Sequence, residues 1–124
     1  MTHILIKILI PILSVIESGN DPNAIGDTGR SIGIMQIQKI VIDDINSRKG
    51  IKFTYDDRKD PEKSRLIAYR YLMYWGYRYI LDTGKAPTTE VLARIWNGGP
   101  NGWKKKSTEK YWEKVKLEML RRKP

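Results

Sequence analysis

Glu17 closes an apolar run from Ile4 to Ile16 and is followed by Ser18-Gly19. A carboxyl at the end of such a run meets hydrophobic walls, where desolvation penalises the charged form and holds the proton to higher pH. That is how a general acid is made. A Glu in the last turn of a helix, facing water, is the ordinary alternative and the commoner fate of a Glu taken alone. Four further groups follow in order: the loop Gly26-Asp27-Thr28-Gly29-Arg30-Ser31-Ile32, then Gly33-Ile34-Met35-Gln36, then Trp96-Asn97-Gly98-Gly99-Pro100, then Tyr111. Asp27 is the candidate second carboxylate, with an Asx-turn residue bonded to its own loop backbone as the alternative. Asp43 and Asp44 are weaker candidates on a predicted helix surface.

Composition narrows the chemistry to carboxylates, hydroxyls and amides. Cysteine is absent from the 124 residues, which excludes a disulfide framework, a thiolate metal site and a thiol nucleophile. The one histidine, His3, stands at the start of the chain, so neither a His-based triad nor a zinc centre is expected, and no metal or cofactor is required. A formal charge of +9 raises the local concentration of a polyanion, whether nucleic acid, an anionic lipid surface or an anionic wall polymer. The runs Lys104-Lys105-Lys106 and Arg121-Arg122-Lys123 carry part of that charge and read first as solvated surface.

The elements that must position these residues are mostly helical. Ile4 to Ile16 contains Lys7 and Pro11, has no cleavage site before Glu17, and falls short of the roughly 20 apolar residues a bilayer span needs. It reads as a buried first helix, starting at Pro11 or kinked there, and stopping at Gly19-Asn20. Residues 20–31 are rich in turn formers and predict a loop. The spacing of Ile37, Ile40, Val41 and Ile45 predicts a helix from Gln36 to about Arg48. Asp60-Pro61 is an N-cap followed by a helix-first proline, opening the longest helix, with Leu66, Tyr69, Met73, Tyr77 and Ile80 as its stripe up to Gly84. These aromatics are expected in the core rather than along a sugar cleft. Further helices are predicted from Thr88 to Asn97 and from Ser107 onward; Ile51 to Tyr55 is the single strand candidate, and the charged stretch Tyr55 to Lys63 the expected flexible loop. One domain over residues 1–124 is expected, mainly α, with a cleft and little or no strand.

Taken together and in this order, the groups from Glu17 to Tyr111 resemble those of the lysozyme-like superfamily, most of all the soluble-type lytic transglycosylases and the goose-type lysozymes. The resemblance implies a helical lysozyme fold and cleavage of the β-1,4 bond between N-acetylmuramic acid and N-acetylglucosamine in peptidoglycan. It gives Glu17 the role of acid at the glycosidic oxygen and Ser18 that of supporting the turn. Gly33 would allow close approach of chain or sugar, Met35 would form an apolar wall, and Gln36 would offer its amide to sugar substituents. Asn97 matches the family's Asn, but Trp96 stands where a tyrosine is usual, and an indole can only stack or donate one hydrogen bond. Tyr111 matches the tyrosine whose hydroxyl approaches the catalytic Glu.

The resemblance leaves two reactions open. A lytic transglycosylase needs one carboxyl, because the muramic 6-hydroxyl attacks and leaves a 1,6-anhydro end. A hydrolase of the goose type uses a second carboxylate, for which Asp27 qualifies, although Gln38 stands where a further aspartate would be. Transglycosylation is placed first on this count. A binding module that holds glycan without cutting it, and a basic nucleic-acid-binding protein, are the alternatives of other classes; retention of Glu17 in its context argues against the first, and the second leaves the Glu17 constellation without a purpose. The expected partner is therefore the peptidoglycan glycan strand, with no nucleic acid, no transmembrane segment and a monomeric state. Action is expected at the bacterial wall, from the periplasm or outside, including delivery by a phage.

Overall fold

The computed structural model describes residues 1–123, and its first helix, α1 (Thr2–Ser18), continues through Pro11 as one element. It is the spine of the molecule: Ile6, Leu9, Ile10, Ile12, Leu13 and Ser14 form its buried face, against three of the four other helices. Gly19 ends it in the left-handed conformation (φ 65°), donating its N–H to the Val15 carbonyl at 2.9 Å. Glu17 therefore sits in the last turn, at the mouth of the core rather than inside it.

The segment 20–31, predicted as loop throughout, contains a minimal hairpin. β1 (Ile25–Gly26) pairs antiparallel with β2 (Ser31–Ile32), Ile25 opposite Ile32 and Gly26 opposite Ser31. Two-residue strands are too short to show alternation, and the turn between them takes Asp27, Thr28 and Gly29 through positive φ. Ile32 then exchanges both backbone hydrogen bonds with Ile37 across the Gly33–Gln36 turn. That second turn corrects the next boundary. Gln36 has φ 52°, and α2 spans only Lys39–Asn46.

The strand expected over Ile51 to Tyr55 does not form. Asn46 takes the place of a partner strand: its amide donates to the Phe53 carbonyl at 2.8 Å, and its oxygen accepts the Phe53 N–H at 2.9 Å. Phe53 is thereby pinned into the core. The charged stretch after it is not loose either. Thr54 and Asp57 close a capping box, and Arg58 is buried with its guanidinium donating to the carbonyls of Tyr55 and Ile37.

α3 (Pro61–Thr83) begins and ends where Asp60 and Gly84 predict, with the Asp60 carboxylate accepting the Lys63 N–H at 3.0 Å. Its buried face is displaced from the predicted stripe, however. Ser64, Ile67, Ala68, Tyr71, Leu72 and Gly76 are buried, whereas Leu66 and Tyr77 are exposed. An amphipathic count that follows the large aromatics misses this face, because it is built partly from small residues. Gly76 is one of them: a Cβ there would stand 3.3 Å from Leu92 of α4 (Thr89–Gly98). α4 is capped by Thr88 and packs against α1, α3 and α5 (Glu109–Arg121).

Candidate active site

One cleft of about 280 Å³ is lined by Glu17 from the end of α1, Asp27, Ser31, Gln36 and Gln38 from the hairpin region, and Trp96 to Gly99 from the end of α4, with Tyr71 behind. Glu17, Asp27 and Trp96 to Gly99 reach the cleft from helix ends and a turn, while Ile40 and Val41 of α2 and Tyr71 of α3 line it from helix faces. Sequence segments far apart meet here. Tyr111, on α5, donates its hydroxyl to Glu17 Oε2 at 2.7 Å across ninety-four residues of chain.

Burial pushes the Glu17 carboxyl from 4.5 up to about 7, and it is the largest influence on that group. Tyr111 opposes it, because a hydrogen bond to the carboxylate favours the charged form; the Asp27 carboxylate then raises it further, and Trp96 lowers it a little. Near neutrality Glu17 thus holds a proton for much of the time and can still give it up. Tyr111, shielded from water and facing a carboxyl, is pushed well above the ordinary tyrosine range and stays a donor.

Asp27 faces the same cleft in a built setting. It adopts φ 49°, and its Oδ2 accepts the hydroxyl of Ser31, a buried residue that also receives the Gln38 amide at 3.4 Å. Its backbone carbonyl, not its carboxylate, receives the loop's own donors, Thr28 Oγ1 and Arg30 N. The Asx-turn alternative does not describe this arrangement.

The other predicted residues divide. Ser18 donates to the Ile34 carbonyl at 2.8 Å and accepts the Asp21 N–H at 3.1 Å, tying the end of α1 to both following turns. Gln36 lines the cleft, but its amide nitrogen is used on the Ala24 and Gly33 carbonyls, so only the oxygen side is free for a ligand. Asn97 is exposed on the rim, and Trp96 stacks edge-on against Tyr71 at 5.7 Å between ring centroids. Met35 is a correction: it is completely buried in the core and forms no wall of the cleft. Gly33 serves the chain and not a sugar, since the Arg58 carbonyl oxygen lies 2.0 Å from where its Cβ would be. Asp44 and Asp43 are held as acceptors by Trp75 and Tyr55, at 2.9 and 2.7 Å.

Tyr71 carries no signal in the sequence that would mark it as a cleft residue, and Ser31, though inside the Gly26–Ile32 loop of the constellation, carries none for its contact with Asp27. Ser31 reaches Asp27 only because the hairpin folds back, and Tyr71 is hidden in a helix rich in tyrosine. No group of three or more His, Cys, Asp or Glu among the described residues is arranged to hold a metal ion.

Residues 5–118 match the transglycosylase SLT domain. The chain belongs to that family of peptidoglycan-cleaving enzymes. This SLT domain is also 53% identical, over 38 residues, to a lysozyme of Magallana gigas; the match takes in 31% of this chain and 28% of that one, so the chain spans under a third of its curated relative. Among solved structures it superposes on a chain of the crystal structure of Aeromonas hydrophila PliI in complex with Meretrix lusoria lysozyme, with a TM-score of 0.70 and 26% identity, covering 88% of this chain and 86% of that chain. No helix among the described residues of the SLT domain is long and apolar enough to cross a membrane.

Proposed function

We propose that this protein cleaves the β-1,4 bond between N-acetylmuramic acid and N-acetylglucosamine in peptidoglycan, with Glu17 as the acid and Asp27 as a second carboxyl group on the same cleft, so that the reaction is a hydrolysis. The observation that carries this is the pair itself: two carboxyls on one cleft, one held toward its protonated form by burial and the other fixed by Ser31. Pairs with diverging environments divide the acid and base roles between them. Glu17 gives its proton to the glycosidic oxygen as the bond from that oxygen to the muramic C1 breaks. Positive charge develops at C1 and the ring oxygen, within the field of the Asp27 carboxylate. Water then bonds to C1 and its proton passes to a carboxylate, leaving a reducing muramic end. The local likeness to the Magallana gigas lysozyme favours the same outcome.

Transglycosylation is the second reading, favoured by the SLT family itself. In it the muramic 6-hydroxyl takes the place of water, its proton returns to Glu17, and Asp27 is not needed. Mass spectrometry of the soluble products from purified peptidoglycan separates the two. Reducing muramic ends are expected, and Asp27→Asn is expected to lower their rate of formation by about 10²-fold, as for loss of a positioned base. Anhydromuramic ends, formed equally well by Asp27→Asn, would overturn hydrolysis in favour of transglycosylation. No products from walls of several bacterial types would leave a glycan-binding module.

Tyr111 gives a further expected result. Tyr111→Phe removes a bond that favours the Glu17 carboxylate, so the acid form persists to higher pH. The high-pH limb of kcat/KM, set in the wild type by a group titrating at about 7, should move upward by about one pH unit. A pH series on solubilised glycan strands reads this directly.

A further inference from the structure

Beside the cleft lies a second cavity of about 310 Å³, lined by Gly29, Arg30, Gln38, Lys39, Ile40 and Arg58. It adjoins the first, since Gln38 and Ile40 line both. Three of its six lining residues are cations, and none of the three makes a salt bridge among the described residues. Arg58 is the unusual one. It is only 7% exposed, yet its guanidinium meets two neutral backbone carbonyls, of Tyr55 and Ile37, and the ring of Tyr55 at 5.6 Å. A buried guanidinium ordinarily has an anion to compensate its lost hydration.

The neighbouring carboxylates are committed elsewhere. Asp43 accepts the Tyr55 hydroxyl, Asp27 the Ser31 hydroxyl, Asp56 pairs with Lys59, and Asp57 with Lys63. Lys39 rests its ammonium over the Tyr55 ring at 4.9 Å, and Arg30 spends one N–H on the Asp27 backbone carbonyl at 3.2 Å. The cavity is thus a fixed cationic floor, Arg58, with two exposed cations at its mouth, opening off the glycan cleft.

We propose that this cavity is an anion subsite that takes a carboxylate of the peptide stem carried by the muramic acid bound in the cleft. The identity of the ligand rests on the proposed function: a stem branches from the glycan at the muramic lactyl ether, so its first carboxylates lie beside the strand rather than along it. The shared Gln38 and Ile40 wall is where glycan and branch would part. The subsite would make the enzyme discriminate stem-bearing strands from bare ones.

The test is an NMR titration of the whole chain with N-acetylmuramoyl dipeptide, and with the same compound amidated at its carboxylates. The expected result is a shift of the Arg58 side-chain Nε–H and of the Gly29, Arg30 and Lys39 amides, with at least tenfold weaker binding of the amidated compound. Arg30→Gln/Lys39→Gln, two exposed positions, should weaken the free acid by a similar factor while leaving the remaining spectrum that of the folded wild type. Equal binding of acid and amide, or shifts confined to the Glu17 cleft, would overturn the proposal. A glycerol-phosphate oligomer that perturbs the same signals more tightly would overturn the peptide assignment in favour of a phosphate-bearing wall polymer. Because the titration does not depend on turnover, loss of the cleavage proposal and loss of this one give different results.

Discussion

Glu17→Gln is expected to lower the rate of peptidoglycan cleavage by about 10³-fold or more while leaving the fold intact. A positioned general acid is worth roughly 10² to 10⁴, and the amide has no acidic proton to give. Its oxygen can still accept the Tyr111 hydroxyl, which sits 2.7 Å from the carboxyl in the wild type, so the local geometry has no reason to change. The same substitution carries a second, opposite effect. A carboxyl that titrates at about 7 when folded and 4.5 when unfolded holds its proton more tightly in the folded state. The stability it contributes is fully present below pH 4.5 and is lost as pH rises through about 7. That difference amounts to about 3 kcal/mol at most. Glu17→Gln is therefore expected to be more stable than the wild type at pH 8, by about 1–3 kcal/mol, and to lose that advantage at pH 4. Rates of muropeptide release, with urea unfolding at the two pH values, check both halves. An inactive variant that is less stable at pH 8 would mean that Glu17 is a structural residue.

Gly33→Ala should be among the most damaging small changes in the chain, costing about 3 kcal/mol or more. Two causes add. Gly33 has φ 83°, a conformation that costs an L-residue about 1 kcal/mol or more. Its added Cβ would also fall 2.0 Å from the carbonyl oxygen of Arg58, and backbone cannot rotate out of the way as a side chain can. Relief would require separating the Gly33–Gln36 turn from the Arg58 segment, disturbing the hairpin that carries Asp27. Gly19→Ala is the internal comparison: it has φ 65° but nothing within 4 Å of the new Cβ, so only the conformational cost remains. Chemical unfolding of the two variants side by side should give a loss several times larger at Gly33. Equal losses would mean that the contact with Arg58 is not maintained in solution.

These two glycines illustrate what the sequence can and cannot disclose. Gly19 and Gly84 were legible as helix stops because a local pattern, an apolar period followed by glycine, is enough to define them. The partner of Gly33 is Arg58, and nothing local links them. Likewise the Asp60-Pro61 start of α3 is written in two adjacent residues, whereas its buried face depends on which neighbours arrive, and Gly76 and Ala68 turned out to matter more than Leu66 and Tyr77. The expected strand at Ile51 to Tyr55 failed for the same reason: apolar, β-prone residues were satisfied by the Asn46 side chain instead of by a second strand. Within the site, Glu17, Asp27, Gln36, Trp96, Asn97 and Tyr111 could be named from the chain because motif order constrains them. Ser31, Tyr71 and the basic cavity around Arg58 are products of folding.

Catalysis by Glu17 requires that it carry its proton near neutrality, in a cleft whose burial disfavours the charged form. A ¹³C NMR titration of the Glu17 side-chain carboxyl, assigned by comparison with Glu17→Gln, measures this without substrate. The expected midpoint is about 7 in the wild type, moving higher in Tyr111→Phe. A midpoint near the ordinary 4.5, unmoved by Tyr111→Phe, would contradict the assignment of Glu17 as the acid.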